Sequence, residues 1–263
     1  MLQKHETRPI KRYGQNFLID RLAIKKIIDA ADLNSRDIVL EIGPGLGVLT
    51  IELAKSVKQV IALEKDYKMI EILKETLRDF NNVEIIQGDA LKTKKDFPSF
   101  PYKILGNLPF YLTAPIIRQF LEKENPPKEM TLIVQKEVGQ RICAEPPQMS
   151  ILAVSVQLYA EPKIISYISK KSFWPSPKVD SAIIKISNIG LNKGTDRDLF
   201  FKIVKAGFSQ PRKQLINNLS KGLAMDREKT ERWLLNNKIE PSQRAETLKI
   251  EDWLNLLRDF SKK

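Results

Sequence analysis

Three glycines at alternate positions, Gly43, Gly45 and Gly47, stand between an apolar run and an amphipathic one. Ile38 to Leu40 reads as a buried strand, and Leu49 to Val57 sets Leu49, Leu53, Ala54 and Val57 at helical spacing. Strand, glycine turn and helix are the opening of a doubly wound nucleotide-binding sheet. Gly43 and Gly45 allow a sharp turn and admit a ligand where a β-carbon would otherwise stand. A dinucleotide turn would need glycine at position 48, where Val48 stands, and no Walker lysine follows. A nicotinamide dehydrogenase is therefore the weakest reading.

The acids narrow the ligand further. A second strand, Val60 to Glu64, ends in a carboxylate where a ribose diol would be held. A third, starting at Val83, leads into Asp89 and Ala90. Acids closing strands two and three suit the ribose and adenine amino group of S-adenosylmethionine, an adenosyl ligand without a pyrophosphate. Glu41, at the end of the first strand, would lie near the methionine ammonium.

Composition sets the outer limits. A chain of 263 residues can bury a full core and carry a second, smaller domain. Its single cysteine, Cys143, excludes an internal disulfide, and its single histidine, His5, argues against a histidine triad or a histidine-rich metal site. Cys143 reads as a small helical residue and His5 as a solvated tail residue. No metal is expected. The charged N-terminus is unlike a secretory signal, and no apolar run is long enough to span a bilayer, so a cytoplasmic protein without a membrane partner is expected. The net charge of +12 suggests a polyanionic partner without choosing one.

Strands and helices then alternate: a helix over Tyr67–Leu77, strands at Lys103–Gly106 and Met130–Val134, and a helix over Ala114–Glu122 between them. Shorter helices surround Val138 and Ile151. A late strand pair, Ile164–Ile168 and Ser181–Ile186, is joined through the Phe173-x-Pro-x-Pro segment. This pattern predicts an α/β protein with a mostly parallel sheet. Asn188 to Thr195 interrupts both periods and reads as a linker. Everything beyond it is helical, and the tail from Asn188 on carries 16 Lys and Arg against 10 Asp and Glu. Half the net charge thus lies in under a third of the chain, with Arg212 and Lys213 in its most basic corner. Near the N-terminus, Asp20 can cap a helix whose buried face is Leu22, Ile24, Ile27 and Ile28. Gln15 and Asn16 are amides beside Lys11 and Arg12, a composition that suggests binding more than packing.

Asn107-Leu-Pro-Phe110 follows the fourth strand, on the carboxyl edge where doubly wound sheets hold ligands. An amino group on an aromatic base is a poor nucleophile because its lone pair is conjugated with the ring. The Asn107 side-chain oxygen and the Leu108 carbonyl, accepting its two hydrogens, would favour the pyramidal, nucleophilic form. Pro109 would stiffen the turn and Phe110 would stack on the base. The same four residues also make an ordinary β-turn with Phe110 as core. Phe173 could clamp the other face of an extruded base. Alternatively, Phe173 and Trp174 could fill the core.

Taken together and in order, Gln15-Asn-Phe-Leu18, Glu41-Ile-Gly-Pro-Gly-Leu-Gly47, Glu64, Gly88-Asp-Ala90, Asn107-Leu-Pro-Phe110 and Phe173-x-Pro-x-Pro-x-Val179-x-Ser181 closely resemble the small-subunit ribosomal RNA adenine dimethyltransferase family. The resemblance runs from about Arg12 to the C-terminal helices. It implies a Rossmann-like fold with a seven-stranded, mostly parallel sheet over residues 1–187, and a small basic all-helical domain over 188–263 that docks on ribosomal RNA. It implies N6,N6-dimethylation of two adjacent adenosines in a hairpin loop near the 3′ end of 16S rRNA in the small subunit, with S-adenosylmethionine as cofactor and a role in subunit biogenesis. By motif match, Gln15, Asn16, Leu18, Glu41, Gly43, Gly45, Glu64, Lys65, Asp89, Ala90 and Asn107 would meet the cofactor. Asn107, Leu108, Pro109 and Phe110 would carry the chemistry, and Phe110, Phe173, Arg212 and Lys213 would meet the RNA. Family members often have consecutive arginines near Arg212-Lys213, whereas Pro211 stands here. The rivals are a large-subunit rRNA adenine N6-methyltransferase of the erythromycin-resistance type and a non-catalytic RNA-binding assembly factor. Asn-Leu-Pro rather than Asn-Ile-Pro favours the small subunit over the first, and intact Glu64, Asp89 and Asn107 speak against the second. With no heptad or long apolar patch, a monomer is expected.

Overall fold

Apolar runs of four to six residues, rich in Val, Ile and Leu, can be satisfied only in strands covered on both faces. The computed structural model describes residues 5, 8–9, 14–93, 97–192 and 194–261. Lys11 and Arg12, the cations expected beside Gln15, and Asp96, the start of an expected loop, lie outside the described residues. Two compact units form, one from residues 1–140 and 160–190, the other from 141–159 and 191–263.

In the first unit, β1 (Phe17–Leu18), α1 (Arg21–Ala30), β2 (Ile38–Ile42), α2 (Val48–Ala54), β3 (Gln59–Glu64), α3 (Tyr67–Thr76) and β4 (Val83–Gln87) come first. They are followed by β5 (Lys103–Asn107), α4 (Thr113–Leu121) and β6 (Met130–Gln135). After α5 (Lys136–Ile142) and α6 (Ile151–Gln157), the unit resumes with β7 (Glu161–Ile168), β8 (Phe173–Trp174) and β9 (Ser181–Ser187). Seven strands form one sheet in the order β4-β3-β2-β5-β6-β9-β7. The first five run parallel, whereas β9 is antiparallel to both its neighbours. The chain winds outward from β2 through β3 to β4, then restarts on the other side at β5. That reversal opens a crevice beyond the carboxyl ends of β2 and β5, where ligands of such sheets sit.

Several expectations are corrected. Phe17–Leu18 and Phe173–Trp174 form a separate two-stranded antiparallel ribbon, with Phe17 opposite Trp174 and Leu18 opposite Phe173. Asp20 caps α1 through the Leu22 and Ala23 amides, and also accepts a 2.7 Å hydrogen bond from the Ser172 hydroxyl beside the ribbon. The buried face of α1 is Ala23, Ile24 and Ile27, while Leu22 is 72% exposed. Ala23 takes the place expected for Leu22 because the inward stripe is rotated by one residue. His5 is no free tail residue: its ring nitrogen lies 2.9 Å from Glu75. Cys143 lies just past the end of α5, partly buried, its thiol pushed up to about 12 by burial.

The second unit is helical: α6, α7 (Arg197–Gly207), α8 (Leu215–Gly222), α9 (Arg227–Asn236) and α10 (Ile250–Phe260). Trp233 and Trp253 are fully buried, with Trp253 stacked on Phe208 and Trp233 against Phe260. Residues 141–159, expected in the first domain, belong here, and the boundary falls after Gly190 rather than at 187. Bonds from Met149 to the Glu246 carbonyl and from Leu191 to the Tyr159 carbonyl tie that stretch in, and the Arg197 guanidinium lies over the Tyr159 ring.

Gly106, in β5, packs tightly against the backbone of β2. A β-carbon there would stand 2.7 Å from the Ile42 carbonyl oxygen, and backbone cannot step aside as a side chain can. Gly106→Ala is expected to cost about 2 kcal/mol of stability. An unchanged denaturation midpoint would contradict this packing.

Candidate active site

The cavity at the switch point is walled by the loops after β2, β3, β4 and β5 and by the segment leading into β1. All eleven residues expected to meet a cofactor line it: Gln15, Asn16, Leu18, Glu41, Gly43, Gly45, Glu64, Lys65, Asp89, Ala90 and Asn107. Gly43 and Gly45 take positive φ angles, 72° and 57°, that favour glycine. At Gly45 a β-carbon would also press on the Phe17 ring at 3.0 Å.

Glu64 holds the turn in place. One of its oxygens accepts the Gly45 amide at 3.1 Å, and the other accepts the Lys65 and Asp66 amides, both at 2.9 Å. Burial raises the Glu64 carboxyl above its ordinary range, although three amides pull the other way. Burial also pushes Asp89 upward, but the Lys65 ammonium at 2.9 Å and the Leu91 amide outweigh it, and the carboxyl is held below its usual value. Glu41 differs. It is 1% exposed, its Oε2 has no hydrogen-bond partner among the described residues, and burial pushes its carboxyl up to about 8.

Gln15 and Asn16 strap the cavity. The Gln15 amide donates to Asp66, the cap of α3, at 3.0 Å. The Asn16 carbonyl accepts the Asn107 side-chain amide at 2.8 Å. That bond commits the Asn107 nitrogen as donor, so its oxygen is left as an acceptor with no partner among the described residues.

The remaining candidates separate. Pro109 lines the cavity, whereas Leu108 is buried and donates its amide to the Ile133 carbonyl at 3.3 Å. Phe110 is partly buried and is not part of the wall; the next residue, Tyr111, is in the wall and 55% exposed. Phe173 does not line the cavity. Its ring is 3% exposed, packed in the core with Leu18, Ile24 and Ile27, so in this structure it has no free face for a base. Arg212 and Lys213 are exposed in the helical unit, on a turn that the buried Asn218 amide fastens through the Gly207 and Gln210 carbonyls. Sequence reasoning missed Tyr111, Leu112 and Ile116, which add an aromatic and apolar wall. Tyr111 directly follows the Asn-Leu-Pro-Phe motif, which was the available signal.

Against known proteins, the family model for ribosomal RNA adenine dimethylase matches residues 7–262. The chain belongs to the ribosomal RNA adenine dimethylase family. It is 42% identical over 258 residues to ribosomal RNA small subunit methyltransferase A of Dehalococcoides mccartyi, covering 96% of this chain and 89% of the relative. Identity to the protein of the same name from Clostridium botulinum is 41% over 262 residues, covering 96% and 94%. Among solved structures, a dimethyladenosine transferase from Plasmodium falciparum superposes with TM-score 0.79 at 31% identity, covering 94% of this chain and 98% of that one. The 23S rRNA methyltransferase ErmE gives TM-score 0.78 at 27% identity, covering 94% and 100%.

The Glu41 carboxyl of this dimethylase generates a pH prediction. Its value in the fold, about 8, exceeds its ordinary 4.5, so the folded state binds the proton more tightly than the unfolded state does. Its contribution to stability is complete below about pH 4.5 and is lost as pH rises towards 8. Glu41→Gln should flatten the fall in melting temperature between those limits, measured without ligand. An unchanged slope would show that Glu41 is not the titrating group.

Proposed function

We propose that this dimethylase uses S-adenosylmethionine to convert two adjacent adenosines near the 3′ end of 16S rRNA, in the small ribosomal subunit, to N6,N6-dimethyladenosine. The observation that carries the reading is the Asn107 side chain, held by Asn16 so that its oxygen is left to accept, on the carboxyl edge of β5 and in the cavity wall. That oxygen accepts a hydrogen of the adenine N6 amino group and, with the Leu108 carbonyl, draws the nitrogen lone pair out of conjugation. Positioning and electrostatic complementarity to the developing positive charge then suffice without a strong base. When bound, the cofactor supplies an electrophilic methyl group.

The residues present fit that cofactor. Glu41, with a buried carboxyl oxygen that has no partner among the described residues, suits the methionine ammonium, which would also offset the cost of its ionisation. Glu64 keeps acceptor capacity for a ribose hydroxyl beyond its three amides, and Asp89 suits the adenine amino group. Gly43 and Gly45 let the ligand approach the backbone. Tyr111, in the cavity wall on the turn after Asn107, would offer an aromatic surface to the target base, with Phe110 beside it on the same turn.

Likeness of fold does not separate small-subunit from large-subunit activity, because the two solved relatives superpose almost equally well. Identity does: relatives near 40% over the whole chain are named for the small subunit, against 27% for ErmE. The basic helical unit, with Arg212 and Lys213 on its fastened turn, is the docking surface for ribosomal RNA, and the protein acts as a monomer.

Asn107→Ala should lower methyl transfer to unmethylated small subunits by at least about 100-fold. Calorimetry should show that the variant still folds and binds S-adenosylmethionine. Near-normal turnover by that variant would overturn the role of Asn107. Arg212→Gln with Lys213→Gln should weaken subunit binding and flatten its salt dependence by roughly 0.7 to 0.9 per contacting charge. An unchanged slope would move docking elsewhere.

A further inference from the structure

Phe173 and Trp174 are adjacent in a two-residue strand, so their side chains leave opposite faces of the ribbon. The core takes Phe173, together with Leu18 across from it. Trp174 lies opposite Phe17, a residue of the cavity wall, and is 49% exposed. Half of this indole faces water, and indole is an effective platform for stacking a nucleobase.

Its neighbours in sequence are basic, and the segment is held in place. Lys170, Lys171 and Lys178 flank it, all exposed and none in an ion pair with a described carboxylate. The nearest acid in sequence, Asp180, is occupied in accepting the Lys170 amide at 3.0 Å. The segment is pinned at several points. Ser172 donates to Asp20 at 2.7 Å, the Ile19 amide donates to the Ser172 carbonyl at 2.9 Å, and the Ser176 hydroxyl donates to the Lys170 carbonyl at 2.9 Å. Pro175 and Pro177 restrict the backbone beyond the indole. An exposed aromatic plane on an already ordered segment that also carries three exposed lysines loses little entropy on meeting a single-stranded nucleic acid.

We infer that Trp174, with Lys170, Lys171 and Lys178, forms a stacking platform for an unpaired RNA base beside the cavity. This rests on the reading of the protein as an rRNA dimethylase.

Of the three tryptophans, Trp233 and Trp253 are fully buried, so RNA-dependent changes in tryptophan emission report on Trp174. The test uses the full chain, unmethylated small subunits as methylation substrate, and a single-stranded RNA for fluorescence. Wild-type emission should be quenched by the RNA and its accessibility to acrylamide reduced. Trp174→Ala should lose both effects and raise KM for the subunit at least about fivefold. Its kcat and its affinity for S-adenosylmethionine should stay close to wild type. Trp174→Phe should recover most of the KM, which a loss of folding would not permit. Replacing the three lysines by Gln should reduce the salt slope of RNA binding, whereas Trp174→Ala should leave it unchanged. Wild-type quenching by RNA absent, or KM unaltered in Trp174→Ala while methylation proceeds normally, would overturn the platform alone. Failure of the wild-type protein to methylate small subunits would instead overturn the underlying reading.

Discussion

The Glu64 carboxylate, buried and accepting three backbone amides, is the interaction on which the site depends. Two of those amides belong to the turn that starts α3, and the third to Gly45 in the turn after β2. One side chain therefore locks the ends of two parallel strands against each other. Because the strands are parallel, their carboxyl ends lie on the same edge, and the turns that leave them can share one carboxylate. Without it the amide of Gly45 would lose its partner, and a φ of 57° would have less to hold it.

A second lock closes the other side. The Asn16–Asn107 bond joins residues 91 apart in sequence and aligns the amide assigned to the chemistry. Gln15 reaches Asp66 from the same strap, so the Glu64 corner and the Asn107 corner are connected through two adjacent residues. The electrostatics follow a similar division. In a chain of net charge +12, the cavity itself concentrates Glu41, Glu64 and Asp89. The positive excess lies elsewhere, much of it in the helical unit. A cationic cofactor would meet these carboxyl groups, and a polyanionic substrate the basic surface.

Much of this was legible in the sequence. Gly43, Gly45, Glu41, Glu64 and Asp89 each stand at a strand end, and the doubly wound geometry leaves strand ends only one edge to meet on. What was not legible is mostly non-local. The β1–β8 ribbon pairs two-residue strands, with Asp20 bonded to Ser172 across 152 positions, and no periodicity announces so short a strand. Which of Phe173 and Trp174 faces the core depends on that register, and a one-residue error exchanges them. The rotation that exposes Leu22 on α1 is likewise a matter of one residue. The helix expected around Ile151 forms, over Ile151–Gln157, but local spacing does not reveal which of two cores a helix will join.

The most direct measurement is transfer of labelled methyl groups from S-adenosylmethionine to unmethylated small subunits and to large subunits, with nucleoside analysis of the product. N6,N6-dimethyladenosine is expected from small subunits alone, at two adjacent positions. Label confined to large subunits, or no label from protein that binds the cofactor, would contradict it.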